Sequence, residues 1–224
     1  IVFTVSADLH RKKSPFNRNT VFMPNGVDPA LYGISNAERP PELDHIAGPI
    51  VGYTGSLHDD RLDIALIEKL SRADRFHQVF VGPDYLKPDS RARIAALPNV
   101  TVVPAQPFHR LPAFVYHFDV CSIPHAVTPF TNSLDPIKAY EYLAAGKPVV
   151  SVDVDGVRPF AEYIDIASNA DEFLGKTLDA LGGAQKSDQA ARRLFADRNS
   201  WRARAAEIVD NLERTLREKS AKGK

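Results

Sequence analysis

The chain is poor in the residues on which special chemistry often depends, with one cysteine, one methionine and one tryptophan in 224 residues. A lone Cys121 excludes an internal disulfide and any cysteine-rich metal site. It lies in the apolar run Val120–Ile123 and reads as a small buried hydrophobe. Excess charge is also missing: 28 lysines and arginines face 28 aspartates and glutamates, so no field of one sign draws a nucleic acid partner. No run approaches the ~18 apolar residues of a membrane span. The Gly-x-Gly-x-x-Gly fingerprint and the Gly-Lys-Ser/Thr of a P-loop are both absent, so nicotinamide dinucleotides and P-loop nucleotides are unsupported. The seven histidines show neither His-x3-His nor His-Glu-x-x-His spacing, and no metal is expected. No Gly-x-Ser-x-Gly elbow marks a serine hydrolase. The chain opens IVFTVSADLH, inside a β-type run with no methionine or polar leader, and reads as a piece of something longer.

What is present is ordinary soluble composition, 44% hydrophobic and 25% charged, with strands and helices in alternation. Strand-like runs occupy Ile1–Ser6, Thr20–Pro24, Pro49–Tyr53, Gln78–Val81, Val100–Val103, Asp119–Ile123, Val149–Val152 and Ile164–Ala167. Helical patterns cover Ala7–Lys13, Asp60–Ala73, Ser90–Leu97, Leu111–His117, Asp135–Gly146 and Val157–Tyr163. They return over Ala170–Leu181, Gln189–Phe195 and Trp201–Arg217, before a polar SAKGK tail expected to fray. Trp201 reads as a packing anchor. The alternation predicts an α/β fold, a Rossmann-like doubly wound parallel sheet with helices on both faces. The expected division is 1–48 as a connecting segment and domain start, 49–184 as the Rossmann-like domain, and 185–224 as helices packing back on it.

In such sheets ligands bind beyond the carboxyl ends of the strands. Gly55-Ser56, Gly82-Pro83, the 104–110 loop and the loop before Asp135 all follow strands and gather on that edge. The richest stretch is Asp135–Val150, DPIKAYEYLAAGKPVV. Asp135 reads as a helix N-cap with Pro136 at N1, and Gly146 and Pro148 end the helix. Lys138 and Glu141 then share a face near the positive helix end, where a phosphate is favoured and a carboxylate one turn on accepts sugar hydroxyls. The same spacing suits a solvated surface pair. Gly55-Ser56 permits close backbone approach to a phosphate, with Arg61 in reach, or is simply a turn. Amides around Thr131–Ser133 suit an anion-binding nest. Phe108 offers a face to a base or an anchor to the core. His58 and His125 stand at the edge as ligand-facing or plain loop residues.

VSADLH, FMPNGVDPALY, GPIVGYTGSLHDDRLD, VFVGP, NVTVVPAQPFHRLPAFVYHFDVCSIP and PIKAYEYLAAGKPVVS occur in one order. In this the chain resembles the C-terminal, donor-binding half of GT-B glycosyltransferases of group 1, the GT4-like family, over nearly its whole length. The resemblance implies a nucleotide-diphospho-sugar donor lying across the sheet edge. Gly55, Ser56, Arg61, Ser133, Leu134 and Lys138 would then contact the diphosphate, with Arg61 and Lys138 stabilising the leaving group. Glu141 would hold the ribose and Phe108 the base. It further implies a substrate rather than a cofactor, UDP-sugar before GDP-sugar, and a glycan or lipid-linked acceptor of polysaccharide or envelope type. That acceptor would be held by a missing N-terminal domain, so the segment alone is expected to be inactive. A cytoplasmic setting with peripheral membrane association completes the expectation.

One departure stands out. The family's Glu-x7-Glu motif ends at Glu141 but begins here with Ser133. That leaves the sugar and the stereochemical course open. It also keeps alive a non-catalytic nucleotide-sugar-binding module, or an epimerase of the UDP-N-acetylglucosamine type.

Overall fold

The computed structural model describes residues 1–222. The chain begins with a small parallel βαβ unit, β1 (Val2–Thr4), α1 (Ala7–Lys13) and β2 (Thr20–Phe22). A short helix α2 (Pro29–Tyr32) and a connection lead to the main sheet. That sheet is built from β3 (Ile50–Thr54), α3 (Ile64–Arg72), β4 (His77–Val81), α4 (Pro88–Ala95), β5 (Val100–Val103), α5 (Leu111–His117) and β6 (Val120–Ile123). It continues through α6 (Pro129–Asn132), α7 (Ile137–Ala144), β7 (Val149–Val152) and β8 (Asp165–Ala167). Three helices close the chain, α8 (Ala170–Leu181), α9 (Gln189–Arg198) and α10 (Trp201–Lys222). The last two residues of the polar tail lie outside the described residues.

The six strands pair in parallel in the order β5-β4-β3-β6-β7-β8. This is the doubly wound arrangement the alternation predicts. β3, β6 and β7 are buried at every residue, as parallel strands covered on both faces must be. From β3 the chain winds outward to β5, then crosses back and winds the other way from β6 to β8. The switch point therefore falls between β3 and β6, where the crossovers diverge and leave a crevice at the carboxyl ends.

Helix starts follow the local sequence. Asp63 caps α3 by accepting from the Leu66 amide at 2.9 Å, and Asn169 and Asp188 do the same for α8 and α9. Cys121 is fully buried, and burial raises its thiol far above its ordinary range.

Several local expectations need correction. Asp135 does not cap α7: Pro136 stands at the N-cap, and no side chain caps the helix. The Asp135 carboxylate instead accepts from the Asn25 amide at 2.6 Å and from the Tyr140 hydroxyl at 3.2 Å. It ties the β2 exit to α7. The loop before α7 contains α6, whose capping box is made by Thr128 and Thr131. The Val157–Tyr163 helix is a 3-10 segment over Asp155–Phe160, interrupted by Pro159. Trp201 is 48% exposed and anchors by its backbone, its amide donating to the Val27 carbonyl at 2.9 Å.

Candidate functional site

At the switch point a cavity of about 370 Å³ opens on the carboxyl edge. Gly55 from the end of β3, His125 from the end of β6, and Lys138 and Glu141 from α7 meet in its wall, with Arg61 and Phe108. Their separation in sequence is undone by the topology, because β3 and β6 are neighbours and α7 follows β6. Tyr142, a fully buried residue of α7, fixes the spacing: its hydroxyl accepts from the Thr54 amide at 2.7 Å and lies 3.1 Å from the Thr54 hydroxyl. Tyr53 holds the following turn, donating to the Ser56 carbonyl at 3.2 Å.

Gly55 adopts φ +137°, a conformation that disfavours any side chain. A Cβ there would also stand 3.2 Å from the Lys138 ammonium. Gly82, with φ +156°, backs this turn so closely that a Cβ would collide with the Gly55 carbonyl. The two glycines let the end of β3 and the ammonium share one small volume.

Lys138 and Glu141 are each only 9% exposed, so they are not the solvated surface pair their spacing also allows. Neither side chain makes an ion pair among the described residues, and the Lys138 ammonium makes no hydrogen bond. The Lys138 ammonium lies 4.9 Å from the centroid of the Tyr53 ring. Burial, with the Arg61 charge second, lowers its pKa to about 8. Burial likewise raises the Glu141 carboxyl above its usual range, against the opposing pull of the neighbouring Tyr32 hydroxyl and the Lys138 charge. The Arg61 guanidinium sits over the Phe130 ring at 5.8 Å, with its Nε buried and unpartnered. Two unpaired cations thus face one cavity, at the start of a helix whose first amides have no side-chain cap. A buried site with this surplus of positive charge favours an anion on electrostatic grounds.

The other residues singled out from sequence fall into place unevenly. Phe108 lines the cavity with its ring 60% exposed, available for stacking and not a core anchor. Leu134 lines it too, but Ser56 opens onto an adjoining groove of about 840 Å³ with His58, Tyr85 and Phe130. Arg61 lines both spaces. The amide nest expected around Thr131–Ser133 is not formed. The Thr131, Asn132, Ser133 and Leu134 amides all donate within their own loop, and the Ser133 hydroxyl donates to the Phe130 carbonyl at 2.7 Å. Ser133 does not reach the cavity wall. Sequence reasoning missed Thr54, Leu111, Pro136 and Ile137 in the wall, and the bracing by Tyr142. No spacing pattern marks them, since they come from strand and helix ends that only the topology brings together. Among the described residues no group of three or more His, Cys, Asp or Glu side chains converges as a metal site.

Comparison with known proteins gives a consistent picture. A family model described as glycosyl transferases group 1 matches residues 48–182. TuaH of Bacillus subtilis (strain 168), a glycosyltransferase attributed by its name to teichuronic acid biosynthesis, is 28% identical over 223 residues. That match covers 92% of this chain and 55% of the relative, so the chain spans about half the length of the curated protein it matches. Among solved structures, Anabaena Alr3699/HepE in complex with UDP and glucose superposes with a TM-score of 0.74 at 16% identity, covering 95% of this chain and 62% of that one. WaaG, a glycosyltransferase involved in lipopolysaccharide biosynthesis, gives 0.70 at 18% identity, covering 92% and 61%. These structures share the fold.

Proposed function

The chain belongs to the glycosyl transferases group 1 family, and from that premise we propose that its switch-point cavity binds the nucleoside diphosphate of a sugar donor. The observation that carries the reading is the pair of unpartnered cations, Lys138 and Arg61, facing the uncapped start of α7. A diphosphate group satisfies both charges and the orphan amides of Ile137 and Lys138 together. Glu141, one turn further along α7, accepts the ribose hydroxyls. Phe108 supplies the stacking face for the base. The Gly55 turn lets the phosphates approach the backbone without a side chain in the way.

Because Arg61 lines both the cavity and the adjoining groove, the sugar extends from the diphosphate toward Ser56, His58 and Phe130. When the bond from the sugar to the diphosphate breaks, negative charge grows on the departing oxygen. Lys138, Arg61 and the helix start stabilise it more strongly than in water, because burial lowers the local dielectric. The full-length protein transfers the sugar to a polysaccharide or envelope acceptor held by a further domain. The name of the TuaH relative and the UDP complexes of the Anabaena neighbour support this, with a UDP-sugar favoured. Ser133 in place of a motif glutamate, with its hydroxyl turned to Phe130, supports a second reading in which the site binds a nucleotide-sugar without turnover.

Calorimetric titration with UDP and GDP tests the donor site. UDP is expected to bind in the micromolar to millimolar range and more tightly than GDP, with Glu141→Ala weakening it at least fivefold. No heat from either nucleotide at millimolar concentration, or a Glu141→Ala variant indistinguishable from wild type, overturns the assignment. Turnover of UDP-sugar by a full-length version separates transferase from binding module.

A further inference from the structure

His125 is the titratable group at this cavity that the donor reading leaves without a task. It lies two residues beyond β6 and is only 2% exposed, and its Nε2 is buried with no hydrogen-bond partner. An unpartnered polar atom in the wall of a ligand cavity costs folding energy unless a ligand completes it.

Its position is not loose. The imidazole packs edge-on against Tyr53, with ring centroids 6.1 Å apart. The backbone forms an antiparallel bridge with Leu62, flanked by Ala126 N donating to Arg61 O at 2.8 Å and Asp63 N donating to Pro124 O at 2.9 Å. The segment bearing His125 is therefore stapled to the segment bearing Arg61 through the backbone.

Charge decides its state. Lys138 faces it from α7, Arg61 from the segment after β3 and the neutral Tyr53 from β3. Glu141 lines the same cavity one turn along α7. No carboxylate pairs with His125 among the described residues. In the empty cavity, burial and the Lys138 and Arg61 charges hold its pKa well below the ordinary value. A diphosphate diester brings two negative charges, which offset the two cations that oppose a protonated imidazole and offer it an anionic hydrogen-bond acceptor.

Resting on the donor reading, we propose that His125 is the third anion-binding side chain of this site, neutral in the empty cavity and protonated as a nucleotide-diphospho-sugar binds. The proton comes from solvent, goes to the imidazole and lets the ring donate from Nε2 to the ligand. Binding is then linked to proton uptake, and affinity rises as pH falls through the window between the empty-site and bound-site pKa values.

The test uses UDP-glucose, because both of its phosphates are diesters and neither titrates near neutrality. Calorimetry of the 224-residue chain at pH 6.5, in two buffers of different ionisation enthalpy, reads the protons taken up per ligand. Wild type is expected to take up roughly half a proton or more. His125→Gln keeps binding, roughly tenfold weaker, with the uptake abolished and the affinity flat from pH 6 to 7.5. Lys138, with a pKa of about 8, stays mostly charged at pH 6.5 and contributes little there. Independently of any variant, the His125 imidazole NMR signals of wild type should move from neutral to protonated values on adding UDP-glucose at pH 6.5. Binding without uptake, uptake unchanged in the variant, or an unmoved imidazole signal overturns this proposal and leaves the donor site standing. Failure of wild type to bind UDP-glucose at millimolar concentration overturns both.

Discussion

At the C-terminal end of α7 the guanidinium of Arg192 is 3% exposed, yet every nitrogen is used. Its Nε donates to the Gly146 carbonyl at 3.0 Å, Nη2 to the Gln185 side chain at 2.9 Å, and Nη1 to the Ser187 carbonyl. Lys147 beside it donates to the Tyr116 carbonyl at 2.5 Å. At the N-terminal end of the same helix, Lys138 is nearly as deeply buried and bonded to nothing, with Arg61 unpartnered across from it. The two ends of one helix thus meet the two kinds of buried cation. The first kind closes the C-terminal carbonyls and belongs to folding. The second leaves its charge unspent, a cost that the proposed diphosphate would offset.

The largest effects should separate the two ends. Arg192→Ala strips the partner from three acceptors and is expected to cost about 3 kcal/mol of stability, read by urea denaturation, while nucleotide affinity changes less than twofold. Lys138→Met should do the reverse: stability unchanged or raised by about 1–3 kcal/mol, and UDP affinity lowered roughly 30- to 100-fold by calorimetry. Equal loss of stability in both variants would erase the distinction.

A pH series sharpens it with the wild-type chain. The native empty site gives up the Lys138 proton near pH 8, whereas the unfolded chain keeps it to its ordinary value of 10.5. Between those limits the unfolded state holds more protons, so the Lys138 contribution to native stability rises with pH. Affinity for the diphosphate falls over the same window, by up to about tenfold per pH unit. The opposite slopes should be visible in denaturation and in binding measured side by side, and Lys138→Met should remove both.

Smaller effects lie further from the two cations. Wild type should prefer UDP to 2′-deoxy-UDP by roughly tenfold, and Glu141→Gln should narrow that gap to about twofold. Phe108→Ala should weaken UDP about fivefold with no change in the denaturation midpoint, because its ring packs against little of the core.

The sheet was legible because alternation of strand and helix is local, and parallel strands buried on both faces leave continuous apolar runs such as Val149–Val152. Lys138 and Glu141 were legible as a pair because helical spacing is local too. Their burial was not, since it depends on Tyr53 and on Gly55, more than eighty residues earlier in the chain. Asp135 looked like a helix cap by every local sign and was drawn away by the Asn25 amide, 110 residues upstream. The expected amide nest failed because Thr128 and the loop carbonyls claim those donors first. His125 was legible only as a residue at the binding edge, and its burial beside Tyr53 arises from β6 lying next to β3.

The bond from the Thr54 amide to the Tyr142 hydroxyl has a kinetic consequence. It sets the distance between the glycine turn and α7 before any ligand arrives, so entry requires no slow rearrangement of that wall. Related nucleotide-sugars should then enter at similar association rates and differ in how long they stay. Loosening this tie with Tyr142→Phe should shorten residence while leaving the encounter step almost untouched.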